Sequence, residues 1–134
     1  MRTALLIVLL ATIAPASLAA TECSDKPECW PDGSAMRTGL QAGVDLKKAD
    51  RELNVTYQRI VKSLPDDQDD NYPRRALVAA QREWVKFRDA NCAAIGEVSG
   101  GVRMWKSAYD GLCQLDMTKA RTAELKNRYE PSDR

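Results

Sequence analysis

Histidine is missing from all 134 residues of this chain. That rules out Ser-His and Cys-His nucleophile pairs. It also removes the commonest metal ligand. No paired CxxC supplies a thiolate substitute, so no metal site is expected. An excess of either charge is missing too, because the formal net charge is +1. Strong attraction to nucleic acid or anionic lipid is therefore not expected. There is no glycine-rich phosphate loop, no cofactor motif, no internal repeat and no useful run of strand-like alternation. The chain is expected to be a single domain that needs no cofactor and is not an enzyme.

What is present begins with an export signal. Arg2 is followed by the apolar run Leu5 to Leu10, extended through Ala11 and Ile13 and broken at Pro15. Ser17-Leu18-Ala19-Ala20 then supplies small residues for cleavage. That order reads as a secretory signal over residues 1–20. The run is too short for a membrane span, which needs about 20 apolar residues. Ala20-Thr21-Glu22 before Cys23 does not look like a lipid-attachment site. The expected location is periplasmic or secreted, without a lipid anchor. Cleavage would take away Arg2 and no acid, leaving equal numbers of basic and acidic residues.

All four cysteines, Cys23, Cys29, Cys92 and Cys113, follow that signal. In an oxidising compartment an even set reads as disulfides. Three connectivities are open, and the favoured one is Cys23–Cys29 with Cys92–Cys113. The second bridge would tie two helices and be worth about 3 kcal/mol in the chain-entropy picture.

Residues 21–38 hold Pro27, Pro31, Gly33 and Ser34 and read as a loop-rich segment, with Trp30 folding back on the core. The helical domain is expected over 39–129 and a polar tail over 130–134. The first helix is expected from about Leu40 to Leu64. Ala42, Leu46, Ala49, Leu53, Tyr57, Ile60 and Leu64 recur at steps of three and four. Pro65 ends it. Asn54-Val55-Thr56 matches a glycosylation sequon but sits mid-helix. An acidic connector, Asp66 to Asp70, leads to Pro73 at the first turn of a second helix. That helix is expected to reach Ile95 and to bury Leu77, Ala80, Gln81, Trp84, Arg88, Cys92 and Ile95. After Gly96, Ser99, Gly100 and Gly101, a third helix is expected from Val102 or Met104 to Tyr129. Its periodicity is less clean. Trp105, Tyr109, Leu112 and Asp116 form one row, and Met117, Arg121 and Leu125 another. Gly111 marks either a bend or a shifted register. The expected fold is all-α, a small antiparallel bundle of three main helices.

Certain words in these helices are recognisable. They are Ala49-Asp50-Arg51-Glu52-Leu53-Asn54 with Tyr57, and Ala80-Gln81-Arg82-Glu83-Trp84 with Phe87-Arg88-Asp89 and Cys92. Gly100-Gly101, Cys113, and Thr118 with Arg121, Glu124 and Leu125 follow. In this order and spacing the chain resembles the LprI-like family, named for a lysozyme-inhibitor domain, over roughly Leu40 to Tyr129. The resemblance implies a small exported helical domain that binds a protein partner, with a lysozyme as the first candidate. Members often carry a cysteine near the start of the first long helix, where this chain has Gln41.

Asn54, Gln81, Arg88 and Arg121 carry over onto the family words. They are read as a buried hydrogen-bond network that sets helix register rather than as a functional cluster. Trp84, Phe87 and Tyr57 are read as core. The candidate partner-binding residues are Ser99, Gly100, Gly101 and Arg103, with Trp105 as a second flank, and the acids Asp66, Asp67, Asp69 and Asp70. A Ser-Gly turn is small enough to enter a carboxylate-lined groove. Its plainer role is to reverse the chain between helices. The acids would steer a basic partner, or simply keep a linker solvated. Glu83 and Asp89 lie six residues apart on a helix and face each other poorly for acid–base work. The leading expectation is a lysozyme-type muramidase inhibitor that occludes the cleft through loops at one end of the bundle. The alternative is a structural or immunity-type module of the cell envelope. A third and weaker alternative is an envelope enzyme.

Overall fold

The computed structural model describes residues 24–68 and 71–130. The expected signal, Cys23, Asp69, Asp70 and most of the polar tail lie outside the described residues. Three helices follow a 3-10 turn at Pro27–Cys29: α1 (Ala35–Ser63), α2 (Pro73–Ser99) and α3 (Arg103–Tyr129). Each is about 40 Å long at 1.5 Å per residue.

α1 begins five residues before the expected start. Ser34 is its cap, with a hydroxyl that accepts the Arg37 backbone N–H at 3.2 Å. Arg37 also pairs with Asp32 at 2.8 Å and donates to the Trp30 carbonyl at 3.2 Å. The proline- and glycine-bearing stretch is thus a helix start rather than loop as far as residue 38. Trp30 is half-buried, and the 3-10 turn before it packs on α1.

The junction between α1 and α2 is a latch. The Asp67 carboxylate accepts the backbone N–H groups of Arg74 (3.1 Å) and Arg75 (3.5 Å), which Pro73 leaves at the open end of α2. Arg74 reaches back to the Leu64 carbonyl at the end of α1, donating from Nε (3.0 Å) and Nη2 (2.7 Å). Asp67→Ala should cost about 1 kcal/mol of stability in urea unfolding, the usual worth of an N-terminal cap. A loss of a few tenths or less would show that solvent satisfies those N–H groups equally well.

α3 lies between the other two and packs along both, while α1 and α2 touch little. α1 and α3 run parallel. A Cβ on Gly39 would stand 3.7 Å from the Ala108 Cβ, and one on Gly111 would stand 3.5 Å from the Ala42 Cβ. Gly111 is therefore a point of close approach within an unbroken helix, not a bend. α2 runs antiparallel to α3. At its end a Cβ on Gly96 would meet the Lys106 carbonyl at 2.6 Å, so glycine is what lets these helices close. The Cys92–Cys113 disulfide ties the same half, with a Cα–Cα distance of 5.4 Å. Cys29 is also disulfide-bonded.

The apolar core sits in the other half. Leu53, Ile60, Leu77 and Leu125 form it, with Tyr57, Val61, Leu64 and Trp84 packed against them. Two expected rows are corrected. In α2, Ala80 and Ile95 are exposed and Gly96 is buried instead. In α3 the buried positions are Ala108, Leu115, Thr118, Arg121, Thr122 and Leu125, while Leu112 and Asp116 face solvent. The α3 face towards α1 is built largely from Ala, Gly and Thr. Close helix approach favours such small residues, and a hydrophobicity pattern does not register them.

Candidate functional site

Two places bring chemistry-bearing residues together. The first is inside the bundle. Arg88 and Arg121 are both nearly fully buried and flank the Trp84 ring, with guanidinium carbons 5.5 and 5.7 Å from its centroid. Arg88 Nη1 donates to Asp50 Oδ1 and Thr118 Oγ1, both at 2.9 Å, and its Nε donates to Asp89 Oδ1 at 2.9 Å. One side chain thereby joins all three helices. Arg121 Nε donates to Gln81 Oε1 at 3.0 Å and Nη1 to Glu124 Oε2 at 2.8 Å. That hydrogen bond is the main cause holding the Glu124 carboxyl below its ordinary pKa.

Gln81, Arg88 and Arg121 thus sit in this interior, as the sequence suggested. Asn54 does not. It lies on the exposed face of α1, and Asp50, one turn earlier, supplies the α1 contact. Thr118 is the other partner that the polar-network reading left out. Both stand within the words that carry the family resemblance, but neither departs from an apolar row in a way that draws notice. Phe87 is 59% exposed, so the expectation that it packs in the core is overturned. α2 has only one packing neighbour along most of its length, and Phe87 points away from it. Glu83 is paired with Lys86 and Asp89 with Arg88, at 2.8 and 2.9 Å. The interior contacts tie the three helices together through Arg88 and tie α2 to α3 through Arg121.

The second place is the α2–α3 turn. Ser99 ends α2 on the surface, and Gly100 and Gly101 follow at φ 74° and 90°. Side chains rarely adopt that region, so the glycines allow a reversal of only three residues. Large exposed apolar side chains stand on either side of the turn in the sequence. Val98 is 87% exposed, and Ile95, Val102 and Met104 are exposed as well. Beside them an open groove of about 510 Å³ is lined by Gly96, Glu97, Gly101, Arg103, Lys106 and Asp110 among others. Lys106 pairs with Glu97 at 2.5 Å. Arg103 is exposed and makes no ion pair among the described residues. Trp105 lies against the turn, its Cβ 3.5 Å from where a Cβ on Gly101 would stand, and its ring stacks on Tyr109 at 5.6 Å between centroids.

The acidic connector lies at the opposite end of the bundle, about one helix length or 40 Å away. The two candidate loops therefore do not share an end. Asp66 pairs with Arg74, and Asp67 pairs with Arg75 at 3.2 Å. Their charge is answered locally. Among the described residues no group of three or more His, Cys, Asp and Glu side chains is placed to hold a metal. No described helix is long and apolar enough to cross a membrane.

The family described as lysozyme inhibitor LprI matches residues 29–125, which takes in all three helices up to Leu125. An uncharacterized protein of Rhizobium meliloti (strain 1021) is 34% identical over 136 residues, covering 96% of this chain and 94% of that protein. No solved structure matches.

Proposed function

Starting from the fact that this chain belongs to the lysozyme inhibitor LprI family, we propose that it is an exported, non-enzymatic binding protein that occludes the cleft of a lysozyme-type muramidase with its α2–α3 turn. The observation that carries this reading is the exposure of four large apolar side chains, Ile95, Val98, Val102 and Met104, before, within and after a turn that glycine keeps narrow. Large apolar side chains clustered at the surface beside polar groups are the usual make-up of a binding patch.

The chemistry fits a cleft lined by carboxylates, as glycosidase clefts are. The Ser99 hydroxyl would donate to one carboxylate. Arg103, free of an internal ion pair, would face a second. Gly100 and Gly101 leave the backbone bare, so the turn enters without side-chain bulk. The valines and Met104 would lose water against the cleft walls. Asp66 and Asp67 take no part, because they sit at the far end and are paired.

Titration of lysozyme on cell-wall substrate tests this. Val98→Asp with Met104→Asp should raise the inhibition constant about tenfold or more, as loss of central apolar contacts does elsewhere. Ser99→Ala should raise it several-fold, and Asp66→Asn should leave it within about twofold. These side chains are exposed, so the fold should survive each change. Wild-type inhibition that none of the turn variants alters would move the site elsewhere. No inhibition of any lysozyme class would favour an envelope interaction module instead.

A further inference from the structure

The outward face of α1 has no role in the fold or in the proposed inhibition. At 100° per residue, positions 44, 47, 48, 51, 55 and 62 fall within about 60° of one line along the helix. All six are exposed. Four are cations, Lys47, Lys48, Arg51 and Lys62, and none makes an ion pair among the described residues. Between them stand Val44 and Val55, 52% and 68% exposed. Arg59 borders the same face, paired with Glu130. The acids of α1 near its edges are already engaged. Glu52 binds Lys126 at 2.9 Å, Asp50 binds Arg88, and Asp45 accepts from Gln41. A chain of almost no net charge therefore gathers Lys47, Lys48 and Arg51 near one end of a face about 27 Å long that Lys62 closes at the other.

From this segregation we infer that α1 docks the protein on an anionic lipid surface. The ridge is straight and convex, so it fits a plane better than a cleft. Cations set along such a ridge meet headgroup phosphates, and each adds to the attraction within a Debye length. Val44 and Val55 explain why the plane is a bilayer rather than another polyanion. Against a nucleic acid they would face phosphates and gain nothing, whereas at a bilayer they leave water at the headgroup boundary. A basic muramidase would be repelled by this face. α2 lies on the far side of α3, so docking through α1 leaves the α2–α3 turn accessible. The inference does not depend on the inhibitor reading.

Co-sedimentation of the exported protein with vesicles tests it. Mixed phosphatidylglycerol–phosphatidylcholine vesicles should bind the protein, and phosphatidylcholine alone should not. Binding should fall steeply with added salt. Lys48→Gln with Arg51→Gln should weaken partitioning about 25-fold, at about fivefold per cation. Val55→Ser should weaken it less. Lys86→Gln with Lys119→Gln, on α2 and α3, should leave it unchanged. All these positions are exposed, so unaltered helix content by circular dichroism would confirm folding. Equal binding to neutral vesicles, indifference to the Lys48 and Arg51 changes, or no binding to anionic vesicles at low salt would each overturn the proposal. So would tighter binding to a single-stranded oligonucleotide than to the vesicles.

Discussion

Arg88→Ala should lower the unfolding free energy by about 3 kcal/mol, the lower end of the range for breaking a buried ion pair. The lower end applies because Asp50 is half-exposed and regains some water when its partner goes. Thr118 does not. Its side chain is fully buried, and without the guanidinium its hydroxyl loses the donor it has now. The Trp84 ring would lose one of its two cationic neighbours as well. Arg88→Lys should rescue little, since an ammonium cannot hold Asp50, Asp89 and Thr118 in one planar fork. Asn54→Ala should change stability by no more than about 0.5 kcal/mol, as exposed positions usually do. Urea denaturation of the oxidised protein reads all three. A loss below about 1 kcal/mol for Arg88→Ala would mean that α1, α2 and α3 are not joined through this side chain. A double-mutant cycle with Asp50→Ala would then locate the missing coupling.

Replacement of Cys92 and Cys113 together by alanine should cost a similar amount, about 3 kcal/mol for a 21-residue separation. For a domain of this size that is a drop on the order of 10 °C in Tm. The apolar cluster explains why the bridge matters. Leu53, Ile60, Leu77 and Leu125 hold only the connector half of the bundle. The half nearer the α2–α3 turn has small residues, Gly39, Ala42, Ala108 and Gly111, where the helices meet. Little apolar area is buried there, so a covalent tie carries a larger share of the stability. Met117 packs its sulfur against Cys92 Sγ (3.5 Å) and Cys113 Sγ (3.9 Å), filling the space beside the bridge. Reductant separates the contributions. It should bring the wild type down by at least as much as the double substitution. Any further fall seen in the variant itself reports the disulfide through Cys29. Equal midpoints for variant and oxidised wild type would show that the half stands without its tie.

The helices were legible wherever strong local signals coincide. Pro65 and Pro73 bracket the connector, and Ser99-Gly100-Gly101 marks the second reversal, although α2 runs four residues beyond the expected Ile95 because Gly96 packs inside the helix against α3. The start of α1 was not legible, because Pro31 and Gly33 look like loop, while the capping bond from Arg37 N–H to Ser34 forms only once the helix is there. The burial of Gln81, Arg88 and Arg121 was readable from polar residues standing on apolar rows. Asn54 was misplaced because it shares a word with Asp50, and only the rotation of α1 against α3 decides which of the two faces Arg88.

By itself, the sequence determined the class of the molecule: an all-helical chain with paired cysteines, no histidine chemistry and three segments cut by proline and glycine. Those are local properties, set by backbone geometry and side-chain type within a few residues. Tertiary structure alone decided which helix sits in the middle and which end of the bundle each loop occupies. It also decided that Phe87 faces water, that Asp66 and Asp67 are paired, and that an almost neutral chain gathers, among its described residues, cations outside any ion pair on one side of α1. The physical reason is that packing partners and charge neighbours are chosen across helices. The key contacts there, such as Gly96 against the Lys106 carbonyl, involve residues too small or too polar to leave a periodic trace.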